Sequence, residues 1–147
     1  MFLEILSNKN NPRFILNLMN ETNTLGNFVP DFKKVIGLIQ HDMYHHYTVD
    51  EHTLFAISNA YDLREGKIDD VFGVAKEIIK KISRFDLLII SLFLHDIAKG
   101  SPGDHSINGF KISNKLCSRF GLNHSDTKVV SWLVLNHLFF LESADNL

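Results

Sequence analysis

The pair His95-Asp96 closes the apolar run Phe93-Leu94 and is followed by Lys99-Gly100 and then by Gly103-Asp104-His105-Ser106. Imidazole and carboxylate both bind borderline or hard cations, so two of them side by side where an apolar segment surfaces look like half of a metal site. The preceding residues, Leu87-Leu88-Ile89-Ile90-Ser91-Leu92, bring the backbone in as a buried helix. An unpaired carboxylate left there would cost on the order of several kcal/mol in desolvation. A divalent cation held by further histidines is the simplest compensation.

Eight histidines are many for 147 residues. His41, His45, His46 and His52 fall in the first half, and His95, His105, His124 and His137 in the second. A lone histidine is more often a surface or hydrogen-bonded core residue than a ligand, and His41, His46 and His124 carry no signal beyond that. His95 stands out through Asp96 beside it and Lys99 four residues on, on the same helical face. The rival reading is a helix C-terminus, where His and Lys oppose the macrodipole; it leaves Asp96 unfavourable. His105 follows Asp104 at a helix start, and the loop Gly100-Ser101-Pro102-Gly103 can fold it back toward Asp96, while Asp104 or Ser106 caps the helix. His137, in Trp132-Leu133-Val134-Leu135-Asn136-His137-Leu138, reads equally as a neutral core histidine. His52, seven residues after His45, reads as a group that supports the site rather than as a ligand. Trp132 and the twelve phenylalanines read as core.

The elements that must position these groups are helices, so the fold class is all-α. Asn11-Pro12 opens a helix through Phe14-Met19, closed at Gly26, and Pro30-Asp31 opens another through Phe32-Ile39. Thr48-Val49-Asp50-Glu51 has the form of a capping box and starts a helix to about Arg64, stopped by Gly66. Further helices are expected over about 70–82, 85–99, 106–120 and 125–139. Strand signals are weak. The length suits one domain, and the absence of linkers or repeats agrees. A net charge of -2 gives no reason to expect nucleic acid or an anionic membrane as partner. The single cysteine, Cys117, excludes an internal disulfide and reads as a small buried helix residue. The longest apolar run is too short to span a bilayer and the N-terminus has no signal-like core, which together lead us to expect a cytoplasmic protein.

Several blocks together carry a resemblance. Gln40-His41-Asp42-Met43-Tyr44-His45-His46-Tyr47-Thr48-Val49-Asp50-Glu51-His52-Thr53-Leu54, Phe93-Leu94-His95-Asp96-Ile97-Ala98-Lys99-Gly100, Gly103-Asp104-His105-Ser106 and Trp132-Leu133-Val134 with His137-Leu138 are joined by Leu25-Gly26 with Val29-Pro30-Asp31-Phe32. The chain resembles the HD superfamily of helical metal-dependent phosphohydrolases, and within it the HD domains of bacterial PII uridylyltransferase/uridylyl-removing enzymes, over roughly Leu16 to Leu138. The resemblance implies a compact helical bundle of the HD type. It divides the single domain 1–147 into a helical lead-in (1–40), an HD core (41–138) and a divergent tail (139–147).

By position it implies that His45, His95 and Asp96 bind metal, with Asp96 able to bridge two ions. His105 and His137 would lie on the second-metal or phosphate side, and Lys99 would face the phosphate. Asp96 and Lys99 are thus the catalytic candidates. The implied reaction is hydrolysis of the uridylyl-tyrosine phosphodiester on the signalling protein PII, with release of UMP. Mn2+ or Mg2+ suits the mixed carboxylate and imidazole set, and the same ligands accept Fe or Zn.

Two departures qualify the resemblance. The family continues after the His137-Leu138 block with a Met-Ser segment and an Asp that completes the first metal site. Phe139-Phe140-Leu141-Glu142-Ser143-Ala144-Asp145-Asn146-Leu147 does not match, so Asp145 replaces that ligand only if the tail bends back. Position 135 is Leu where a basic residue is common. The nucleotidyltransferase and ACT domains that flank this region in the family lie outside these residues. Two rival functions follow: a catalytically impaired fragment or non-catalytic HD module acting by protein interaction, and hydrolysis of another nucleotide phosphoester.

Overall fold

The segment Phe85–Leu94, expected to be buried from its composition, is a helix packed against the first, fifth and ninth helices of the chain. A helix apolar on nearly every side has no face to give to water. Its interior polar group, Ser91, is satisfied by donating its hydroxyl to the Leu87 carbonyl at 2.7 Å. The computed structural model describes residues 2–39, 47–68 and 73–138. In chain order the helices are α1 (Phe2–Leu6), α2 (Arg13–Glu21), α3 (Thr24–Phe28), α4 (Pro30–Lys33), α5 (Val49–Glu65), α6 (Val74–Lys81), α7 (Phe85–Leu94), α8 (His105–Arg119) and α9 (His124–Leu135). The architecture is all-α. Among the described residues the extended pairing is an isolated antiparallel bridge between Ile39 and Thr48, and no helix there is long and apolar enough to cross a membrane.

The N-terminal helices share their core with the rest of the chain. Phe93 of α7 meets Phe32 in a stacked contact at 4.9 Å and Phe2 edge-on at 5.3 Å. Phe2 also touches Phe28 and Phe120, at 5.1 and 5.2 Å. Such aromatic pairs add roughly 0.5–1.5 kcal/mol each beyond the area they bury. Cys117 is fully buried, and burial pushes its thiol up to about 12, as expected of a packing residue.

The start of α5 is heavily specified. The Glu51 carboxylate accepts from the Thr48 backbone N–H at 3.2 Å, as the capping-box sequence predicts, and also from the Thr48 hydroxyl at 3.0 Å. The helix stops at Gly66, which takes the left-handed conformation. Asp50, buried, accepts from Asn20 of α2 at 2.7 Å and from the Gly37 N–H at 2.9 Å. Burial alone would raise its pKa, yet these bonds hold the carboxyl below its usual value. The start of α5 is thereby tied to α2 and to the turn after α4.

Several local expectations need correction. Gly26 does not end the second helix. The chain turns at Asn23, which is left-handed, and Gly26 lies inside α3, where an added Cβ would stand 3.0 Å from Ile36 and 3.2 Å from Lys33. The helix opened by Pro30 ends at Lys33 rather than continuing to Ile39, and Gly37 is in a left-handed turn. The helix begun at Phe85 ends at Leu94; residues 95–100 form tight turns. Trp132 is 61% exposed and Phe14 79% exposed, so neither is core. In α9 the inward positions belong to Val130 and Val134, and Trp132, two residues from each, points the other way.

Candidate metal centre

Asp96 sits just past the end of α7, 2% exposed, and side chains from four segments converge on it. Because α7 stops at Leu94, the next residues fold into consecutive turns, with Ile97 N–H on Leu94 O, Lys99 N–H on Asp96 O and Ser101 N–H on Ala98 O. Gly100 completes them in the left-handed region, with Leu38 so close that a Cβ would approach it to 2.8 Å. The tight turn places Lys99 Nζ 2.8 Å from Asp96 Oδ2, and His95 Nε2 lies 3.1 Å from the same oxygen.

Two antiparallel neighbours bring in the second group. Asp104 caps α8, accepting from the Ser106 and Ile107 N–H groups at 2.7 and 3.1 Å, so His105 occupies the first helical position. Asp104 thus serves as the helix cap and at the same time sets His105 at the start of α8. Gly109 lets α8 approach α9, since a Cβ there would stand 3.1 Å from Val134. The His105 and His137 rings consequently lie 5.6 Å apart, and His137 Nε2 is 3.5 Å from Asp96 Oδ1. That contact is electrostatic rather than a formed hydrogen bond, since both atoms are buried without a hydrogen-bond partner among the described residues.

His52, on the first turn of α5, is the residue that the sequence reading placed in a supporting role. Its Nε2 lies 4.0 Å from Asp96 Oδ2, and its ring is 5.5 Å from that of His95. The donor atoms therefore form two trios that share Asp96: His52, His95 and Asp96, and Asp96, His105 and His137. Within each, the ligand atoms lie within 4.8 Å of one another. The Thr48-Glu51 cap was the signal that could have ranked His52 higher, because it places that residue at a helix start held against the core. His45 and Asp145, like His41 and His46, lie outside the described residues. His124, at the far end of α9, belongs to neither trio.

The chemistry of the donors fits a cation. His95 Nδ1 stands 2.7 Å from the Leu92 carbonyl and His137 Nδ1 2.7 Å from the Val134 carbonyl. A carbonyl oxygen accepts only, so each Nδ1 carries the proton and each Nε2, in the neutral ring, turns a lone pair toward the Asp96 carboxylate. Lone pair against anion is repulsive unless a positive charge intervenes, either a cation between them or a second proton on the ring. Fixing one ring nitrogen on a backbone carbonyl is also how metal-binding histidines are commonly oriented. Asp96 Oδ1, His105 Nε2 and His137 Nε2, buried and without hydrogen-bond partners among the described residues, make the same demand from the second trio.

Electrostatics run the same way. Burial pushes the Asp96 carboxyl upward, but His137, His95 and Lys99 outweigh it and hold the group well below the usual carboxylate range. Burial lowers His105, keeping it a neutral donor. For His137 burial is opposed and exceeded by Asp96 and the Val134 carbonyl, so its pKa is raised.

The HD domain family model matches residues 49–146, a span that includes His52 and begins after His45. Bifunctional uridylyltransferase/uridylyl-removing enzymes are similar over nearly the whole chain. That of Zymomonas mobilis is 43% identical over 143 residues, 97% of this chain and 15% of the relative. That of Azospirillum brasilense is 46% identical over 138 residues, 94% of this chain and 15% of the relative. That of Novosphingobium aromaticivorans is 43% identical over 144 residues, 98% of this chain and 16% of the relative. The chain thus spans about 15% of the length of the curated relatives it matches. No solved structure matches it.

Proposed function

The chain belongs to the HD domain family of metal-dependent phosphohydrolases, and from that premise we propose that it hydrolyses a phosphodiester, removing UMP from uridylylated PII protein. The observation that carries the reading is the convergence of imidazole Nε2 atoms on one buried carboxylate. The substrate rests on the likeness to uridylyl-removing enzymes.

In this reading His52, His95 and Asp96 hold one divalent cation, and Asp96, His105 and His137 form the second-metal or phosphate side. A cation there supplies Lewis acidity, activating water and drawing charge from the phosphoryl oxygens. Four imidazoles to one carboxylate favour Mn2+ over Mg2+, which prefers all-oxygen surroundings, and leave Fe and Zn acceptable. Lys99, 13% exposed beside Asp96, stands where phosphoryl oxygens would gather negative charge in the transition state. The Leu92 and Val134 carbonyls fix the rings of His95 and His137, so the donors are aimed before substrate arrives.

The test is release of UMP from uridylylated PII by the purified chain with Mn2+, beside the Asp96→Ala variant. We expect release by the parent chain and loss of both release and Mn2+ binding in the variant, with helical circular dichroism retained. A variant as active as the parent would remove this site from the reaction. A folded, Mn2+-binding parent that releases no UMP would shift the reading to a non-catalytic module or to another nucleotide phosphoester.

A further inference from the structure

We propose that the cleft between α2 and α5 beside the metal centre is a nucleobase subsite, with Tyr47 and Phe55 as its stacking platform. This inference rests on the phosphohydrolase reading and names the part of the substrate that the chain itself recognises. The two rings stack on each other at 5.5 Å and 21°, yet both stay open to water, 50% and 39% exposed. They form one wall of a cavity of about 270 Å3, whose remaining lining includes Arg13, Asn17, Asn20 and Glu51.

That rim has the character a base requires. A guanidinium, two carboxamides and two carboxylates, Glu21 and Glu51, offer donors and acceptors in one place, matching the alternating carbonyl and N–H edge of uracil. Asn20 gives its amide N–H to Asp50 at 2.7 Å, and its Oδ1 has no hydrogen-bond partner among the described residues. A phenol ring, the other ring of a uridylyl-tyrosine ester, has no such edge and would leave the rim unmatched.

Position links the cleft to the chemistry. Glu51 is next to His52 in sequence, and Phe55 lies three residues further along the same helix, where side chains stand about 5–6 Å apart at Cβ. A ring separated from its phosphorus by one ribose suits that spacing: base on the aromatic pair, phosphate at the His52 and Asp96 end. Stacking tolerates any base, so the platform supplies affinity and the polar rim supplies the choice among bases.

The experiment is calorimetric titration of the chain, with Mn2+ present, using UMP, ribose 5-phosphate and phenyl phosphate. We expect UMP to bind about tenfold more tightly than ribose 5-phosphate, a difference typical of one stacked base. Tyr47→Ala and Phe55→Ala should collapse that ratio toward one. Phe55→Leu, which keeps apolar bulk and removes the stack, should do the same and separates loss of stacking from loss of packing. Equal binding of UMP and ribose 5-phosphate by the parent chain, binding of neither, or a ratio that survives all three substitutions overturns the subsite. Dependence of phenyl phosphate rather than UMP on the two aromatics also overturns it, assigning the platform to an aryl group. The hydrolysis assay stands apart: a chain that prefers UMP but releases none from PII keeps the subsite and loses the reaction, and one that releases UMP without preferring it loses only the subsite.

Discussion

At the scale of single residues, the site turns on which histidine completes the group around His95 and Asp96. His52 is the sharpest case, since its Nε2 reaches within 4.0 Å of Asp96 Oδ2 while more than a third of its side chain remains exposed. As a ligand, its replacement removes a donor atom outright; as a supporting group, it would matter only through another residue. We therefore expect His52→Ala to weaken Mn2+ binding by at least about tenfold, the lower end of what even an orienting neighbour contributes. An unchanged affinity in a competition titration would return His52 to the surface. Much of this candidate cluster is legible in the sequence: His95, Asp96 and Lys99 stand together in the chain, and the Asp104 cap locates His105. His137 was an even choice because its apolar neighbours look alike whether the ring is packed or ligating. The sequence leaves His52 in a supporting role for a physical reason. Its spacing to His45 is visible in the sequence, whereas the crossing of α5 over the end of α7 that brings it to Asp96 is a tertiary fact.

At the scale of elements, helix starts were more legible than helix ends. Caps are local, so the starts at Thr48 and Asp104 are read directly, and Gly66 is the exception among the ends. The stop at Leu94 depends on Lys99 and His95 turning in toward Asp96, and the exposure of Trp132 depends on which face of α9 meets α8; neither is written in local sequence. The register between α7 and α9 is braced at the end opposite the site by Arg84, which donates to Asp86 at 2.8 Å and to Asp126 at 2.9 Å. Hydrogen bonds from Arg84 hold the Asp86 carboxyl below its usual value of 3.8. A carboxyl depressed in the folded state stabilises the fold above the unfolded pKa, and that contribution fades as pH falls through the folded value. With both partners more than a third exposed, solvent screens the pair and its contribution is small. Asp86→Asn should accordingly lower Tm by no more than about 2–4 °C at pH 6. The gap from the parent should close as pH drops below 4 and shrink in high salt. A gap that widened on acidification would show that the bridge does not carry the difference.

At the scale of the whole molecule, the candidate centre is where separate parts of the chain are joined. His52 comes from α5, His95 and Asp96 from the turn after α7, His105 from α8 and His137 from beyond α9, so a cation on these atoms would clasp four separate segments. Without a cation, Lys99 and the surrounding imidazoles alone offset the charge of the buried Asp96 carboxylate. Binding to the folded state alone shifts the folding equilibrium by RT ln(1 + [L]/Kd), about 2.7 kcal/mol at a hundredfold excess over Kd. For a chain of this length that corresponds to a rise in Tm of roughly 5–10 °C. Saturating Mn2+ should therefore raise the melting temperature by that order, and a chelator should reverse it. Asp96→Ala should melt at one temperature with or without the metal, because the carboxylate common to both trios is gone. Calorimetric scans of the two proteins, each with Mn2+ and with chelator, read this directly. A metal-induced rise that persisted in the variant would place the cation elsewhere on the molecule.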